Sequence, residues 1–405
     1  MHFPRSFLHV ASLLLPLSAA LAASACRDTS GDAGTTEGKP ASSVAHASLL
    51  GAPTTGASAA APPGSAPPGS SAQVATAPST SASAAAAAAP PPPLPDEDLY
   101  PTTLDAQREA MFGRMAATMR LSEAQLAAVR AIFGKSKVLG QGNPALAKYA
   151  MTRRQCRETR ERAQVVDADK PMCGAPFMVP LYDPAAGQTE ADAKACIDRY
   201  EFPGIPCEHP VVWATAREAS ELCSAVGKRL CDAHEWEGGC AGALHTPDDE
   251  YVFNRERKLS RHRHNDKRDI RWAYGAEKDH ARCATASNKT KGCTSGGWKR
   301  CGTNAYPAGA FPGCVSPLGV YDQHGNVAEH MNLPTRPEEM SSAGGMGYTE
   351  MKGSWFIFSG YEAHPDDCRW RAPDWHGTKV KDHNSHGNYH LGFRCCGSAS
   401  TPATP

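Results

Sequence analysis

Asp322 and Glu329 bracket a tight Gly325-Asn326 turn in the run Asp322-Gln323-His324-Gly325-Asn326-Val327-Ala328-Glu329. Two carboxylates with backbone carbonyls between them supply the hard oxygen donors of which calcium takes six to eight. The same residues could instead close a hydrogen-bonded turn that holds no metal. Sulfur is the second chemical resource, with 15 cysteines in 405 residues. Imidazole is the third: His376, His383, His386 and His390 crowd just ahead of Gly392. Three or four imidazoles can bind zinc, iron or copper, or they can be loop histidines with no shared ligand.

Cysteine density points to a compartment. The first residues carry one positive charge at Arg5, an apolar run from Phe7 to Ala22, the small residues Ala23-Ser24-Ala25, and then Cys26. That order is a secretory signal, too short and too interrupted for a membrane span. Ala23-x-Ala25 suits ordinary signal cleavage, giving a plain secreted protein. Ala-Ser-Ala-Cys also suits a bacterial lipoprotein box, with Cys26 lipidated and the membrane as partner. Removing Cys26 from the 15 cysteines leaves 14, an even number that permits complete pairing. Export to the cell envelope and dense cysteine usage agree, because disulfides persist outside the reducing cytoplasm.

Domain boundaries follow composition. Residues 1–25 are the signal peptide, and residues 26–96 are an Ala/Pro/Ser-rich tether. The tether holds almost no aromatic or large aliphatic residues and cannot offset its ordering entropy. As a flexible coil it reaches on the order of 45 Å. Residues 97–170 read as a small helical subdomain, with a capping box at Ser122-Glu123-Ala124-Gln125 and an apolar face of Leu126, Val129, Ile132 and Phe133. Met111, Met115 and Met119 recur at fourfold spacing and read as core. Residues 171–398 form the main domain, followed by a tail at 399–405. Gly, Pro, Asn and Asp punctuate the main domain every few residues, which predicts short strands, few helices and much ordered loop.

Arg255 to Arg271 is dense in Arg, Lys and His, and reads as a solvated insertion. Formal net charge is zero, so nothing favours a nucleic-acid partner.

Three blocks of the main domain, in order, carry a resemblance. The first is Pro210-Val211-Val212-Trp213, Ala219, Cys223, Gly227-Lys228-Arg229-Leu230, Glu235-Trp236-Glu237 and Cys240-Ala241-Gly242. The second is Pro317-Leu318-Gly319-Val320-Tyr321-Asp322 through Gly325-Asn326-Val327-Ala328-Glu329. The third is Lys352-Gly353-Ser354-Trp355, Arg369-Trp370-Arg371 and Leu391-Gly392-Phe393-Arg394-Cys395. Together they resemble the formylglycine-generating enzyme, or sulfatase-modifying factor, family.

The resemblance implies an α+β, loop-rich formylglycine-generating-enzyme fold related to C-type lectins. It implies a helix from about Ala214 to Val226. It implies calcium at Asp322, Gly325, Val327 and Glu329, with Asn288 at a plausible position for a second site. Disulfides Cys223–Cys395 and Cys240–Cys368 are implied as well. The family's enzymes bind copper through two cysteines of the third block. Here Ile357 stands at the first of those positions, Cys368 lies close to the second but displaced, and Ala372 replaces a further family cysteine. Cys368 is thus either a residual catalytic thiol or a disulfide partner. Trp355, Arg369, Trp370 and Arg371 are groove residues by position, or else core and ion-pair residues. The expectation is an exported binding module without copper, taking a peptide, glycan or protein ligand. The alternative is an oxidoreductase related to formylglycine-generating or nonheme-iron and copper oxidases.

Overall fold

The computed structural model describes residues 100–247, 253, 257–290, 297–334, 336–340, 347–372 and 378–400. They belong to one compact unit, residues 86–405. The signal-like run, Cys26, the tether and His376 lie outside the described residues.

Helices open the described chain. Thr103 caps α1 (Leu104–Thr118), its hydroxyl accepting from the Ala106 N–H. The capping box read from the sequence forms at α2 (Glu123–Lys135), where Ser122 and Gln125 satisfy each other's backbone N–H groups. α3 (Arg153–Arg162) uses the same device through Thr152 and Gln155. Met111, Met115 and Met119 are buried with Phe112, Val129 and Phe133, so their spacing serves packing. The same apolar cluster takes in Leu222 and Cys223 of α4 (Ala216–Ala225), Leu230 of β3 (Arg229–Leu230) and Phe393 of β6 (Leu391–Phe393). The region expected as a helical subdomain thus shares one core with the body behind it. α4 occupies the span expected of it, and Gly227 beyond it adopts φ +80°.

Two small sheets hold the site. One has the order β1-β2-β7-β3 and is antiparallel throughout: β1 (Met178–Leu181), β2 (Ala195–Asp198), β7 (Cys395–Ser398) and β3. The other has the order β5-β4-β6. In it β4 (Ala328–Leu333) runs antiparallel to β5 (Tyr348–Lys352) and parallel to β6, with Glu329 opposite both Lys352 and Gly392. α5 (Ala233–Ala241) packs on strands of both sheets, and every one of its residues is buried. Gly242 ends α5 at φ +80°, and a Cβ there would lie 2.6 Å from Pro317. That close approach fixes the start of the second block against the end of the first.

Short strands bury too little surface to hold long loops alone, and covalent links supplement them. Cys156–Cys207, Cys173–Cys196, Cys223–Cys395, Cys231–Cys396, Cys240–Cys368 and Cys283–Cys314 are disulfides, and Cys301 is disulfide-bonded as well. Among the described residues no helix is long and apolar enough to cross a membrane.

The basic stretch expected as a solvated insertion contains a helix, α6 (Arg257–Lys267). Its outer side chains Lys258, His262 and Arg263 are exposed. Its inner side is docked. His264 donates from Nε2 to the Arg369 carbonyl at 2.6 Å, and Asn265 donates from Nδ2 to the Arg371 carbonyl at 2.9 Å.

Candidate functional site

The loop from Asp322 to Glu329 is built on unusual backbone. Asp322, Gly325 and Asn326 have φ of +57°, +74° and +52°. A Cβ at Gly325 would sit 2.5 Å from the Ala284 carbonyl oxygen, so only glycine fits there. Asn326 locks the turn: its Oδ1 accepts from Tyr306 N–H at 2.8 Å, and its Nδ2 donates to Glu201 at 2.6 Å. Glu201 also accepts from Val327 N–H at 3.0 Å. Asn288, by contrast, is an exposed residue whose carbonyl accepts from Asn304 Nδ2.

Glu329 is fully enclosed. Arg394 donates to both of its carboxylate oxygens, and Trp236 Nε1 donates to one of them at 3.0 Å. Glu201, Asp322 and Glu329 are all buried around the single guanidinium of Arg394, which acts on each of them. Burial raises the Asp322 carboxyl to about 6, against the pull of the Gly309 N–H and Arg394. Burial, reinforced by Asp322 and Glu329, holds Glu201 well above the ordinary carboxylate range. Burial thus disfavours the ionised form of these carboxyls, and a hard divalent cation bound beside them would favour it. The buried carboxylate oxygens are hard donors of the kind calcium takes, although Arg394 and Trp236 already engage both oxygens of Glu329. Asp322 and the Gly325 and Val327 carbonyls would hold the ion, and Glu329 would be shared with Arg394. The three carboxylates do not form a ready-made side-chain cage. Among the described residues the only triplets of ligand side chains within 4.8 Å are Cys240–His324–Cys368 and Cys231–Glu235–Cys396.

Cys368 is bonded to Cys240, with Cα atoms 5.4 Å apart. Cys223 and Cys395 form the other disulfide that the resemblance implied. Ile357 packs beside the apolar clusters of Phe356 and Trp355. Ala372 is buried, its N–H donating to Glu350 at 2.6 Å. All thirteen cysteines among the described residues are disulfide-bonded.

Behind these residues lies a buried ionic knot. Glu237 on α5 accepts from Arg371 at 3.0 and 3.1 Å and from Lys352 at 2.7 Å. Burial works against its ionisation, but Arg371 and Lys352 hold it well below the ordinary carboxylate range. Arg369 donates to the Ala243 carbonyl at 3.1 Å. Both arginines expected as groove residues are therefore interior, at 3% and 2% exposure.

The two tryptophans expected in the groove join a continuous band of rings. Trp213 and Tyr389 have centroids 6.4 Å apart, Tyr389 and His390 4.7 Å, and His390 and Trp355 4.7 Å in a stack. Trp355 lies 5.6 Å from His364, which stacks on Trp370 at 4.5 Å. Four ring nitrogens along this band, Trp213 Nε1, Trp355 Nε1, His364 Nε2 and His390 Nδ1, are buried without a hydrogen-bond partner. His364 Nδ1 donates to the Pro365 carbonyl at 2.7 Å, so its Nε2 is an acceptor. Burial lowers the pKa of His364, and lowers that of His390 to about 3, with His386 and Lys289 adding to the latter effect. Among the described residues His383, His386 and His390 form no shared ligand cluster. His383 is exposed beside Arg217, and His386 offers its carbonyl to His330.

Sequence reasoning missed Glu201, His324 and His364. Glu201 and His364 lie outside the three blocks, and His324 falls at an unmarked position of the second block.

The profile of the Sulfatase-modifying factor enzyme 1-like domain family matches residues 145–399. The chain belongs to that family. Comparison with curated proteins returned no match.

Proposed function

We propose that this chain is an exported, lipid-anchored binding protein, in which a sulfatase-modifying-factor domain serves as a calcium-supported scaffold without the two-cysteine copper centre. One observation carries the reading. Ile357 stands at one copper-ligand position, and Cys368, the residue nearest the other, is consumed in a disulfide with Cys240. Copper(I) prefers paired soft thiolates, and the described cysteines offer none in the oxidised protein. The ring band, which contains Trp355 and Trp370 of the expected groove, would be the contact surface for a peptide or glycan, with its buried indole N–H groups and imidazole acceptor becoming available where the rings part. Disulfide density supports maturation outside the cytoplasm. Cys26 and the 26–96 tether would place the domain at a distance from the membrane.

The test is a thiol and metal count on protein purified without reductant. We expect no reactive thiol at Cys368 and no stoichiometric copper. A reactive Cys368 with one equivalent of copper would favour the oxidoreductase reading instead. A Cys26→Ser variant should leave the membrane fraction, and unchanged fractionation would remove the anchor from the proposal.

A further inference from the structure

His324 has no exposed surface and lies against the Cys240–Cys368 disulfide. Its Nε2 is 3.4 Å from Cys240 Sγ and 3.7 Å from Cys368 Sγ. Across a tetrahedral zinc with Zn–S of about 2.3 Å and Zn–N of about 2.0 Å, sulfur and nitrogen ligands stand roughly 3.5 Å apart. The two nitrogen–sulfur edges of such a site are therefore already at their working length. Only the sulfur–sulfur edge, a covalent bond in the oxidised protein, must open, to roughly 3.8 Å.

The surroundings are those of a ligating histidine. Nε2 accepts the Ala273 N–H at 2.9 Å, which orients its lone pair and places the ring proton on Nδ1. Nδ1 is buried without a hydrogen-bond partner in the oxidised protein, and the carboxylate nearest to it along this side, that of Asp366, is 3.8 Å away. Asp366 is itself fixed by Ser354 at 2.9 Å, by His280 at 3.1 Å and by Trp272 at 3.1 Å. A carboxylate that accepts from the second nitrogen of a ligating histidine fixes its tautomer and raises its basicity toward a metal, and a ring shift of about 1 Å would bring Nδ1 within reach of Asp366. The other ligand triplet, Cys231–Glu235–Cys396, lacks this freedom, because Arg229 donates to both oxygens of Glu235.

We propose that reduction of the Cys240–Cys368 disulfide creates a soft-metal site, with Cys240, Cys368 and His324 as ligands and Asp366 as positioning residue. The reductant is a phosphine. It attacks one sulfur, the S–S bond breaks, and water supplies the oxygen that leaves as phosphine oxide. Two electrons and two protons pass to the cysteine sulfurs. A divalent zinc or cobalt ion then displaces both thiol protons to buffer and takes over the Nε2 lone pair from the Ala273 N–H. A fourth position stays open to water. The site is independent of any ligand that the ring band binds, and it forms only once the Cys240–Cys368 bond of the oxidised protein is opened.

The experiment treats the oxidised mature chain with a water-soluble phosphine under native conditions, maps reduced cysteines by alkylation and peptide mass, and titrates the product with cobalt(II) alone. We expect Cys240 and Cys368 to be among the labelled cysteines, with one equivalent of cobalt giving a thiolate charge-transfer band that depends on His324. His324→Gln should leave the pair reducible and weaken cobalt binding at least tenfold. His324→Cys should restore the band, which keeps the test decisive if the glutamine variant folds poorly. The proposal is overturned if the pair stays oxidised until the protein unfolds, if the reduced protein gives no cobalt band, or if neither substitution alters binding.

Discussion

The guanidinium of Arg394 grips the carboxylate of Glu329 from β4, and neither side chain has any exposed surface. Removing one member of such a pair strands the other. Arg394→Met should therefore destabilise the domain by about 3–5 kcal/mol in urea unfolding, with Glu329, Asp322 and Glu201 left without their shared cation. A loss below about 1 kcal/mol would mean that the carboxylates are neutral or otherwise compensated.

Calcium should act on the same place. If Asp322 and the Gly325 and Val327 carbonyls hold the ion, a chelator will lower the melting temperature and added calcium will restore it. At a hundredfold excess over Kd the stabilisation is about 2.7 kcal/mol. Asp322→Asn should abolish that calcium-dependent shift. An equal shift in the variant would move the ion elsewhere.

Glu208 sets an acid limit. Burial alone would raise its pKa, but Arg153 and Arg114 pull it from 4.5 to about 2. The folded value lies below the unfolded one, so its stabilisation is full above about pH 4.5 and fades as the pH falls toward 2. That pair of values corresponds to on the order of 3 kcal/mol. Urea titrations from pH 5 to 2 should show a steeper loss for the parent protein than for Glu208→Gln.

Cys223 and Cys395 are 172 residues apart in sequence, and their bond restrains most of the family domain in the unfolded chain. In the chain-entropy model, closing a loop of that length contributes about 5 kcal/mol. Replacing both residues by serine should lower the urea midpoint accordingly. A midpoint within error of the parent would show that the remaining bridges already confine the loop.

What could be read from the sequence was local or came through the three blocks. Ser122 and Gln125 announce α2 because a cap depends on residues three apart. Met111 and Met115 announce core through helical period alone. Cys223–Cys395, Cys240–Cys368 and the α4 span came from positions carried over by resemblance, and the structure has all three. Glu201 was not legible, because it meets the Asp322–Glu329 loop only after the chain has folded back on itself. His324 carried no signal of its own in the sequence, because Cys240, Cys368 and Asp366 come near it only in the folded chain. The docking of α6 was hidden by its charge, since few of its side chains turn inward and His264 is not an apolar signal. Arg369 and Arg371 were ambiguous for a related reason: a charged residue becomes interior only when a partner such as Glu237, far away in sequence, arrives to meet it.

Cys395 and Cys396 are neighbours on β7, so their side chains leave opposite faces of the sheet. Cys395 is stitched to α4 in the core shared with the N-terminal helices, and Cys396 is stitched to Cys231 in the core beneath α5. The last strand is thus riveted on both sides. Neither layer can slide over the sheet or peel away from it while both bonds are intact. A pull on the chain's far end would be borne by covalent links rather than by ladder hydrogen bonds.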